Sequence, residues 1–435
     1  MTVTVHPPSI FDLALPPIAY HEATDPAEVH RLIGEARAQG PVAMGPYGPE
    51  VLTYDLVRGV LRDSRFAIPP GIGLVVQGIT SGPVWDKVCK LLISLDGAEH
   101  QRLRRLVARA FTPRAAERMR GACVDVITEL VDARLAAARC DVVTDIARPY
   151  PVPIICALLG APREDWRLFS RWSDDISKAF GCGVAENAPA IVAAWEQLES
   201  YVEELIARRR RSLGDDLISE LVRAEDRAAN TGDQLTHDEL VNLAVILLNA
   251  GTDTTRNQLA AAVQTLCEHP EQWDLLADRP ELAPQAVEEL IRFSPITFTG
   301  LRVATQDIDF GEFFVPAGSY VIANTASANR DPAMFDDPEH LDITRQAAPP
   351  MMTFGGGVHY CLGAHLARVE LREALRVITQ RISNPRRTGP APWRPPTELS
   401  GPTTLPIEFD SAFVGLAGGD LVGGLGRDVA GQARG

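Results

Sequence analysis

One segment of the chain carries the residues best suited to chemistry. It is FGGGVHYCLGAHLAR, residues 354–368, a glycine-rich turn that delivers one cysteine to the start of an amphipathic helix. Glycines let backbone amides approach a sulfur closely, and the N-terminus of a helix stabilises negative charge. The pattern therefore favours a thiolate at Cys361, and a shielded thiolate is a metal ligand. Taken alone, the same letters also fit a buried structural cysteine beside a glycine turn.

A second unusual segment is AGTDTT, residues 250–255, inside an otherwise apolar helix. A glycine followed by hydroxyl and acid residues lowers helix propensity and places polar groups in an apolar environment. A local kink that holds water would explain the pattern. Hydroxyls that bond back to the preceding turn are the plainer alternative.

Charged residues at helical spacing form a third set of candidates. Glu289 and Arg292 are three residues apart and share one helix face, a spacing that usually belongs to an exposed pair. His100 and Arg104 are four residues apart and point the same way. Cationic donors suit carboxylates that are removed from water. Each of these residues singly also fits a surface arginine or a histidine satisfied by its neighbours.

The order of these segments resembles the cytochrome P450 family. The loop matches that family's haem-binding pattern Phe-Gly-x-Gly-x-His-x-Cys-x-Gly at every defining position: Phe354, Gly355, Gly357, His359, Cys361 and Gly363. The resemblance spans about residues 25 to 410. It implies a mainly α fold with small β-sheets (α+β), a single large triangular-prism domain that holds haem between a long central helix and the cysteine loop.

The resemblance also implies a role for each candidate residue. The cofactor is haem b with Cys361 as the metal ligand, and Asp253 and Thr254 are catalytic, relaying protons to bound dioxygen. Glu289 and Arg292 are structural and brace the fold behind the haem loop, with residues 329–332 as a neighbouring segment. Further cofactor contacts fall on the long helix, the loop and the cations that meet the haem propionates: Ala250, Phe354, Gly355, Gly363, His100, Arg104, Arg302 and His359.

The implied activity is that of a monooxygenase, which inserts one oxygen atom from O2 into a hydrophobic small molecule by hydroxylation or epoxidation. Pockets for such substrates are apolar with a few orienting polar groups. By family position the substrate-facing candidates are Val84, Val245, Asn249, Ile296, Phe298 and Thr403. None of these residues selects among a fatty acid, a terpenoid, a steroid and a polyketide.

Electrons must come from other proteins, because the chain carries no flavin or nicotinamide fingerprint. The resemblance implies a separate ferredoxin and its reductase, so that NAD(P)H is used indirectly. We expect an acidic ferredoxin to dock on a basic face, where charge attraction raises the association rate; a solvated helix face is the alternative. The arginines of this expected face are Arg102, Arg105, Arg109, Arg114, Arg118 and Arg120.

Other functions stay open at this point. A peroxide-driven haem-thiolate peroxygenase would need no electron partners, although intact Asp253 and Thr254 weigh against it because peroxide brings its own protons and electrons. A non-catalytic haem sensor or carrier has no need to protonate oxygen. A structural zinc site is weaker still, because Cys361 and His359 lack a second pair of ligands at zinc spacing.

Helices must position most of these residues. Thr236 and Glu239 form a capping box ahead of the apolar run LVNLAVILLNAG, which predicts a buried helix that continues to His269. A second helix carries AVEELIRF and ends before Pro295, and the stretch DIDFGEFFVPAGSYVIAN predicts short strands. We predict a proline-rich segment over 1–24, the haem-thiolate domain over 25–410 and a disordered glycine-rich tail over 411–435.

Composition and charge exclude several classes of protein. The 435 residues are 46% hydrophobic and 23% charged, as in a packed globular protein, and the net charge of -15 argues against nucleic-acid binding. Seven cysteines without a CxxC pair suit a reducing compartment. The first twenty residues contain four prolines and no sustained apolar run, so we expect neither a signal peptide nor a membrane anchor, and a cytoplasmic location.

Overall fold

Helices make up most of the structure. The computed structural model describes residues 7–227, 235–346, 348–396 and 399–411. Short 3₁₀ helices such as Ile72–Gln77 and Gly357–His359 fill several of the connections. The α-helices are α1 Pro26–Gln39, α2 Tyr54–Arg62, α3 Pro83–Val88, α4 Gly97–Val107, α5 Pro113–Arg118, α6 Arg120–Leu135, α7 Pro151–Leu159, α8 Trp166–Ser177, α9 Val184–Arg211, α10 Leu217–Arg227, α11 His237–Glu268, α12 Pro270–Asp278, α13 Ala283–Phe293, α14 Thr325–Ala328 and α15 Ala364–Arg381.

The strands form small sheets, as predicted for this fold class. They are β1 Val42–Gly45, β2 Gly48–Val51, β3 Phe66–Ala67, β4 Arg139–Asp141, β5 Thr299–Ala304, β6 Ile308–Asp309, β7 Phe314–Val315, β8 Tyr320–Asn324, β9 Ile382–Arg387, β10 Trp393–Arg394, β11 Gly401–Pro402 and β12 Pro406–Ser411. The largest described sheet has the order β1-β2-β8-β5-β3, in which only β2 and β8 are parallel. A three-stranded sheet, β4-β12-β9, and the pairs β6-β7 and β10-β11 complete the set in the described ranges.

The longest helix in the described part of the chain is α11. Its 32 residues at about 1.5 Å each make it about 48 Å long. The predicted capping box is present: Thr236 Oγ1 accepts from the Glu239 N–H at 3.2 Å, and Glu239 Oε2 accepts from the Thr236 N–H at 2.8 Å. Gly251 lets α7 pack closely, because a Cβ atom added there would lie 2.9 Å from Ile155 Cδ1. This contact gives α11 a fixed position beside the cavity described below.

The predicted pair Glu289 and Arg292 is buried under the segment that leads to the cysteine loop. The two residues are 3% and 2% exposed, and Arg292 Nε donates to Glu289 Oε2 at 2.7 Å. Arg345, which the sequence pattern did not single out, donates to the same carboxylate oxygen at 3.1 Å. Arg292 Nη1 also donates to the backbone oxygens of Asn329 at 3.0 Å and Pro338 at 2.9 Å. These bonds hold residues 329–345 against α13.

The ends of the described chain differ from each other. Residues 7–24, which we predicted as a separate segment, pack on the sheet region: Ile10 and Tyr20 are buried, and Ser9 forms a β-bridge with Phe314. The predicted tail lies outside the described residues, except for residue 411 at the end of β12. None of the described helices is long and apolar enough to span a membrane. All seven cysteines are free thiols.

Candidate active site

A cavity of about 390 Å³ is bounded by α4, α11, α15 and the cysteine loop. Most of its wall is apolar, through residues such as Leu92, Ile93, Phe111, Ile246 and Leu247. Many of the residues predicted from the sequence meet here, although they are spread over more than 260 positions of the chain. They are His100, Arg104, Ala250, Thr254, Ile296, Phe354, Gly355, His359, Cys361 and Gly363.

The cysteine loop is a tight turn that requires glycine at specific points. Gly355 and Gly357 have φ angles of 73° and 64°, in the left-handed region that favours glycine. A Cβ atom at Gly357 would lie only 2.7 Å from the backbone oxygen of Leu61, whereas one at Gly363 would meet no protein atom within 4 Å. The Cys361 N–H donates to the Phe354 oxygen at 2.8 Å. The loop therefore closes on itself and presents the cysteine to the cavity.

The surroundings of Cys361 act on its thiol in opposite directions. Burial raises the pKa of the thiol, because the apolar wall disfavours a charged sulfur. Hydrogen bonds from the backbone at Gly363 and Ala364, and the charges of Arg104 and Arg368, lower the pKa. The predicted arrangement of amide groups at a helix N-terminus is thus present, together with two arginines.

Cationic and imidazole groups line one side of the cavity. The rings of His100 and His359 are 4.3 Å apart, and His359 Nε2 is 2.7 Å from Asp96 Oδ1. Burial lowers the pKa of His100 to about 4, and the nearby His359 and Arg104 add to this effect. His100 Nδ1 is buried with no hydrogen-bond partner among the described residues.

Arg302 is close to this group but does not line the cavity. It is 7% exposed, and its Nη1 donates to the oxygen of its neighbour Leu301 at 2.9 Å. Burial lowers its pKa to about 10, an effect that the charge of Asp96 opposes. Within the described ranges no carboxylate forms an ion pair with Arg302, and Asp96, whose charge acts on it, lies 2.7 Å from His359 Nε2 instead. A buried guanidinium without such a partner is costly, so the site suits an added anionic group.

These observations fit a haem. A cysteine sulfur on the loop, a largely apolar cavity and an incompletely paired set of nitrogen donors match a flat apolar cofactor that carries an iron and two carboxylates. The relevant features are the Cys361 environment, the unpartnered His100 Nδ1 and the unpaired charge of Arg302.

Thr254 and Asp253 face different spaces. Thr254 lines the cavity, and its Oγ1 donates to the Ala250 oxygen at 2.8 Å. Asp253 lies in a separate polar cleft of about 400 Å³, where its Oδ1 is 3.0 Å from Arg256 Nη2 and accepts from Ser173 Oγ at 3.3 Å. Burial raises the pKa of Asp253, against the lowering effect of Arg256. Successive residues of a helix point about 100° apart, which explains the separation.

Glu370 is an acid at the cavity that the sequence pattern did not single out. It lies on α15, is 2% exposed, and accepts through Oε2 from Thr255 Oγ1 at 2.9 Å. Its Oε1 has no hydrogen-bond partner among the described residues, and burial raises its pKa to about 8. No local signal distinguishes this glutamate from the solvated acids of an amphipathic helix, because its burial depends on how α15 packs against α11.

Five residues predicted to face a substrate do not line this cavity: Val84, Val245, Asn249, Phe298 and Thr403. Asn249 Oδ1 instead accepts from Ser173 Oγ at 3.0 Å, and the ring of Phe298 lies 5.3 Å from that of His30. Thr403 lines the polar cleft that contains Asp253. Position along the chain locates an element, whereas the direction of a side chain depends on local twist and packing.

Comparison with known proteins identifies the family. The Cytochrome P450 family model matches residues 87–277 and 272–385. Nocardicin C N-oxygenase of Nocardia uniformis subsp. tsuyamanensis is 40% identical over 379 residues, 84% of this chain and 91% of that protein. Mycinamicin IV hydroxylase/epoxidase of Micromonospora griseorubida is 40% identical over 385 residues, 86% of this chain and 94% of that protein. The crystal structure of CalO2 matches with a TM-score of 0.81 and 32% identity, covering 89% of this chain and 98% of that one.

The chain belongs to the cytochrome P450 family. It is a haem-thiolate monooxygenase, and its cofactor is haem. The predictions of the family, of the mainly α fold with small sheets, of the reaction class and of the cofactor are confirmed.

Proposed function

We propose that this monooxygenase oxidises a small hydrophobic secondary metabolite in the cavity between α11 and the cysteine loop. The apolar wall formed by Ile93, Ile246, Leu247 and Ile296 supports a hydrophobic substrate, and Thr297 adds one hydroxyl that can orient it. Two relatives of similar length are named for oxidation of nocardicin C and mycinamicin IV. Their names support a natural product of this kind as the substrate.

The residues that would hold the haem follow from the site. Cys361 provides the sulfur ligand, and His100, Arg104, Arg302 and His359 provide donors for the two carboxylates. When bound, the haem activates dioxygen, and its thiolate ligand favours cleavage of the O–O bond. The apolar wall excludes bulk water, which strengthens each polar interaction inside the cavity.

We propose that Asp253 and Thr254 supply the protons that the reaction consumes. The observation that carries this proposal is that the two residues connect two spaces: the hydroxyl of Thr254 faces the cavity, whereas Asp253 lies in a polar cleft on another side of α11. A carboxyl that leaves Arg256 and rotates past the helix backbone can pass a proton from the cleft to the hydroxyl. Burial favours the protonated form of Asp253, which is the form that donates.

The test compares two threonines that are close in sequence. Thr252 Oγ1 bonds to the Leu248 oxygen at 2.8 Å and does not line the cavity, so Thr252→Ala is a matched control for Thr254→Ala. With ferredoxin and reductase, Thr254→Ala and Asp253→Asn should each lower product per NAD(P)H by about tenfold or more and release the difference as hydrogen peroxide. Thr252→Ala should stay coupled. Equal coupling in all variants contradicts the relay, and turnover by hydrogen peroxide but not by ferredoxin supports a peroxygenase.

The substrate class needs its own measurement. Binding of a ligand near the iron changes the haem absorption spectrum, so a panel of hydrophobic compounds can be titrated against the purified protein. We expect hydrophobic natural products, in a panel that includes nocardicin C and mycinamicin IV, to give saturable spectral shifts, and Ile246→Asp to weaken them by placing a charge in the apolar wall. A panel in which only polar metabolites shift the spectrum contradicts the proposed substrate class.

We also propose that an acidic ferredoxin docks on the arginines of α4 and α5. Five of the six predicted arginines support this surface because they are exposed: Arg105, Arg109, Arg114, Arg118 and Arg120. Within this set, Arg102 pairs with Glu239 and Arg120 pairs with Glu373. Helix α5 packs against α15, which begins directly after the cysteine loop. A ferredoxin bound at this surface would have a short path for electrons to the cysteine loop.

Charge reversal tests the docking surface. Arg114→Glu and Arg118→Glu should slow haem reduction by ferredoxin at low salt, and the difference from the wild type should shrink as salt rises. Arg31→Glu on α1, where Arg31 forms surface pairs with Glu28 and Glu35, is the control and should leave the rate unchanged. Rates that are insensitive to salt and to both α5 substitutions contradict this surface.

A further inference from the structure

Arg368 stacks on the first residue of the cysteine loop. Its guanidinium carbon lies 4.5 Å from the centroid of the Phe354 ring. Phe354 lines the cavity, and its backbone oxygen accepts the Cys361 N–H at 2.8 Å. The guanidinium is held in this place by Nη1, which donates to Tyr360 Oη at 3.2 Å and to the Ala364 oxygen at 3.3 Å. Arg368 thus contacts the loop at Phe354 and Tyr360, and its own helix at Ala364, without lining the cavity.

Among the residues that the structure describes, the charge of Arg368 has one carboxylate counter-ion, which comes from another helix. Glu288 on α13 binds it in a bidentate way, with Nε to Oε1 at 2.5 Å and Nη2 to Oε2 at 3.0 Å. The arginine side chain is 27% exposed and the glutamate side chain 47%. Because the glutamate is more exposed, water screens its negative charge more strongly than it screens the arginine. A net positive field therefore remains on the side of the arginine that faces the loop.

A positive charge near the loop affects the two oxidation states of the site differently. One-electron reduction of a bound haem, with the electron supplied by ferredoxin or a chemical reductant, would add one negative charge to the haem and its sulfur ligand. A nearby cation stabilises the state with more negative charge, and it does so more strongly across an apolar ring than across water. The cation therefore makes reduction easier, and its counter-ion makes reduction harder.

We propose that Arg368 is a positioning residue that raises the reduction potential of the haem, and that Glu288 moderates this effect. Arg368 acts through Phe354, whose ring separates the guanidinium from the cavity and excludes water between them. Because Glu288 is exposed, a substitution at this surface position can change the reduction potential without altering the substrate wall. This inference rests on the proposed role of Cys361 as the sulfur ligand.

The test measures the midpoint potential of the haem-loaded protein by spectroelectrochemical titration. Arg368→Gln should shift it to more negative values, with the reduction equilibrium changed on the order of tenfold. Glu288→Gln should shift it to more positive values, because Arg368 then lacks its counter-ion. Arg368→Lys keeps the charge and should restore most of the wild-type potential.

A control on the same helix separates charge from structure. Arg372 lies one turn beyond Arg368 and pairs with Glu117 at 3.0 Å and Glu373 at 2.9 Å, so Arg372→Gln should leave the potential near that of the wild type. Opposite shifts for Arg368→Gln and Glu288→Gln support the proposal, since loss of a merely structural contact would move both in one direction. Equal potentials, or shifts of the same sign, overturn it. A reduced carbonyl adduct that resembles an imidazole-ligated globin in the wild type would instead contradict Cys361 as the ligand.

Discussion

Replacing Gly357 by alanine should weaken the fold at the cysteine loop, for two reasons that add. The residue has a φ of 64°, and this left-handed conformation costs an L-residue about 1–2 kcal/mol. The new Cβ would also lie 2.7 Å from the backbone oxygen of Leu61 and 3.2 Å from Arg62 Cα, so α2 or the loop must shift. Overpacking of this kind typically costs about 1–3 kcal/mol. We expect a total loss of about 2–5 kcal/mol in the free energy of unfolding.

Two other glycines serve as controls for the separate contributions. Gly355 has a φ of 73°, but the nearest atom to its added Cβ is the His359 oxygen at 3.8 Å, so Gly355→Ala should cost only about 1–2 kcal/mol. Gly34 lies within α1 with no atom within 4 Å of its added Cβ, so Gly34→Ala should stabilise the helix by about 1 kcal/mol.

Urea unfolding of the haem-loaded protein, followed by tryptophan fluorescence and by the haem spectrum, measures this series. The expected order of midpoints is Gly34→Ala, wild type, Gly355→Ala and Gly357→Ala, from highest to lowest. Gly357→Ala should also retain less haem after gel filtration, because the loop that carries Cys361 is displaced. If Gly357→Ala is as stable as Gly355→Ala, the contact with Leu61 does not constrain the loop and the reasoning fails.

Two further predictions follow from buried charges. Glu289→Gln should destabilise the fold by about 3–5 kcal/mol in denaturant unfolding, because it weakens the pairing of a buried Arg292. Glu28→Gln removes an exposed pair with the same spacing and should change the free energy of unfolding little. Similar effects at both sites would contradict a role for burial. Burial raises the pKa of Glu370 from 4.5 to about 8, so the contribution of this carboxyl to stability is fully present only below its unfolded pKa. This contribution is lost as the pH rises through about 8, and the free energy of unfolding should then fall by about 5 kcal/mol at most. Glu370→Gln cannot ionise and should lack this fall; if the variant shows the same slope of unfolding free energy against pH as the wild type, folding does not raise the pKa of Glu370.

Local sequence determined the elements that carry the chemistry. The capping box at Thr236 and the apolar run after it predicted the start of α11, because both act within a few residues of each other. The turn of the glycine-rich loop is likewise predictable from its own residues, since the positive φ angles at Gly355 and Gly357 are local properties of the backbone. The resemblance in order of these motifs was enough for the family, the reaction class and the cofactor.

Side-chain direction was decided by packing. Asp253 and Thr254 are adjacent in sequence and were assigned one task, yet α11 turns one toward the polar cleft and the other toward the cavity. Ile296 lines the cavity, whereas the ring of Phe298, two residues later, lies against that of His30. No single-sequence pattern contains this information, because it depends on which surfaces of distant elements meet.

Burial separates two identical patterns in the same chain. Glu28 and Arg31 have the same E-x-x-R spacing as Glu289 and Arg292, and the ion-pair distances are 2.6 and 2.7 Å. The first pair lies on the outside of α1 with both side chains more than 40% exposed, and the second is at most 3% exposed. The amino-acid sequence determined that each ion pair could form. Only the tertiary structure decided which one is removed from water, and desolvation is what turns a weak surface contact into a structural requirement.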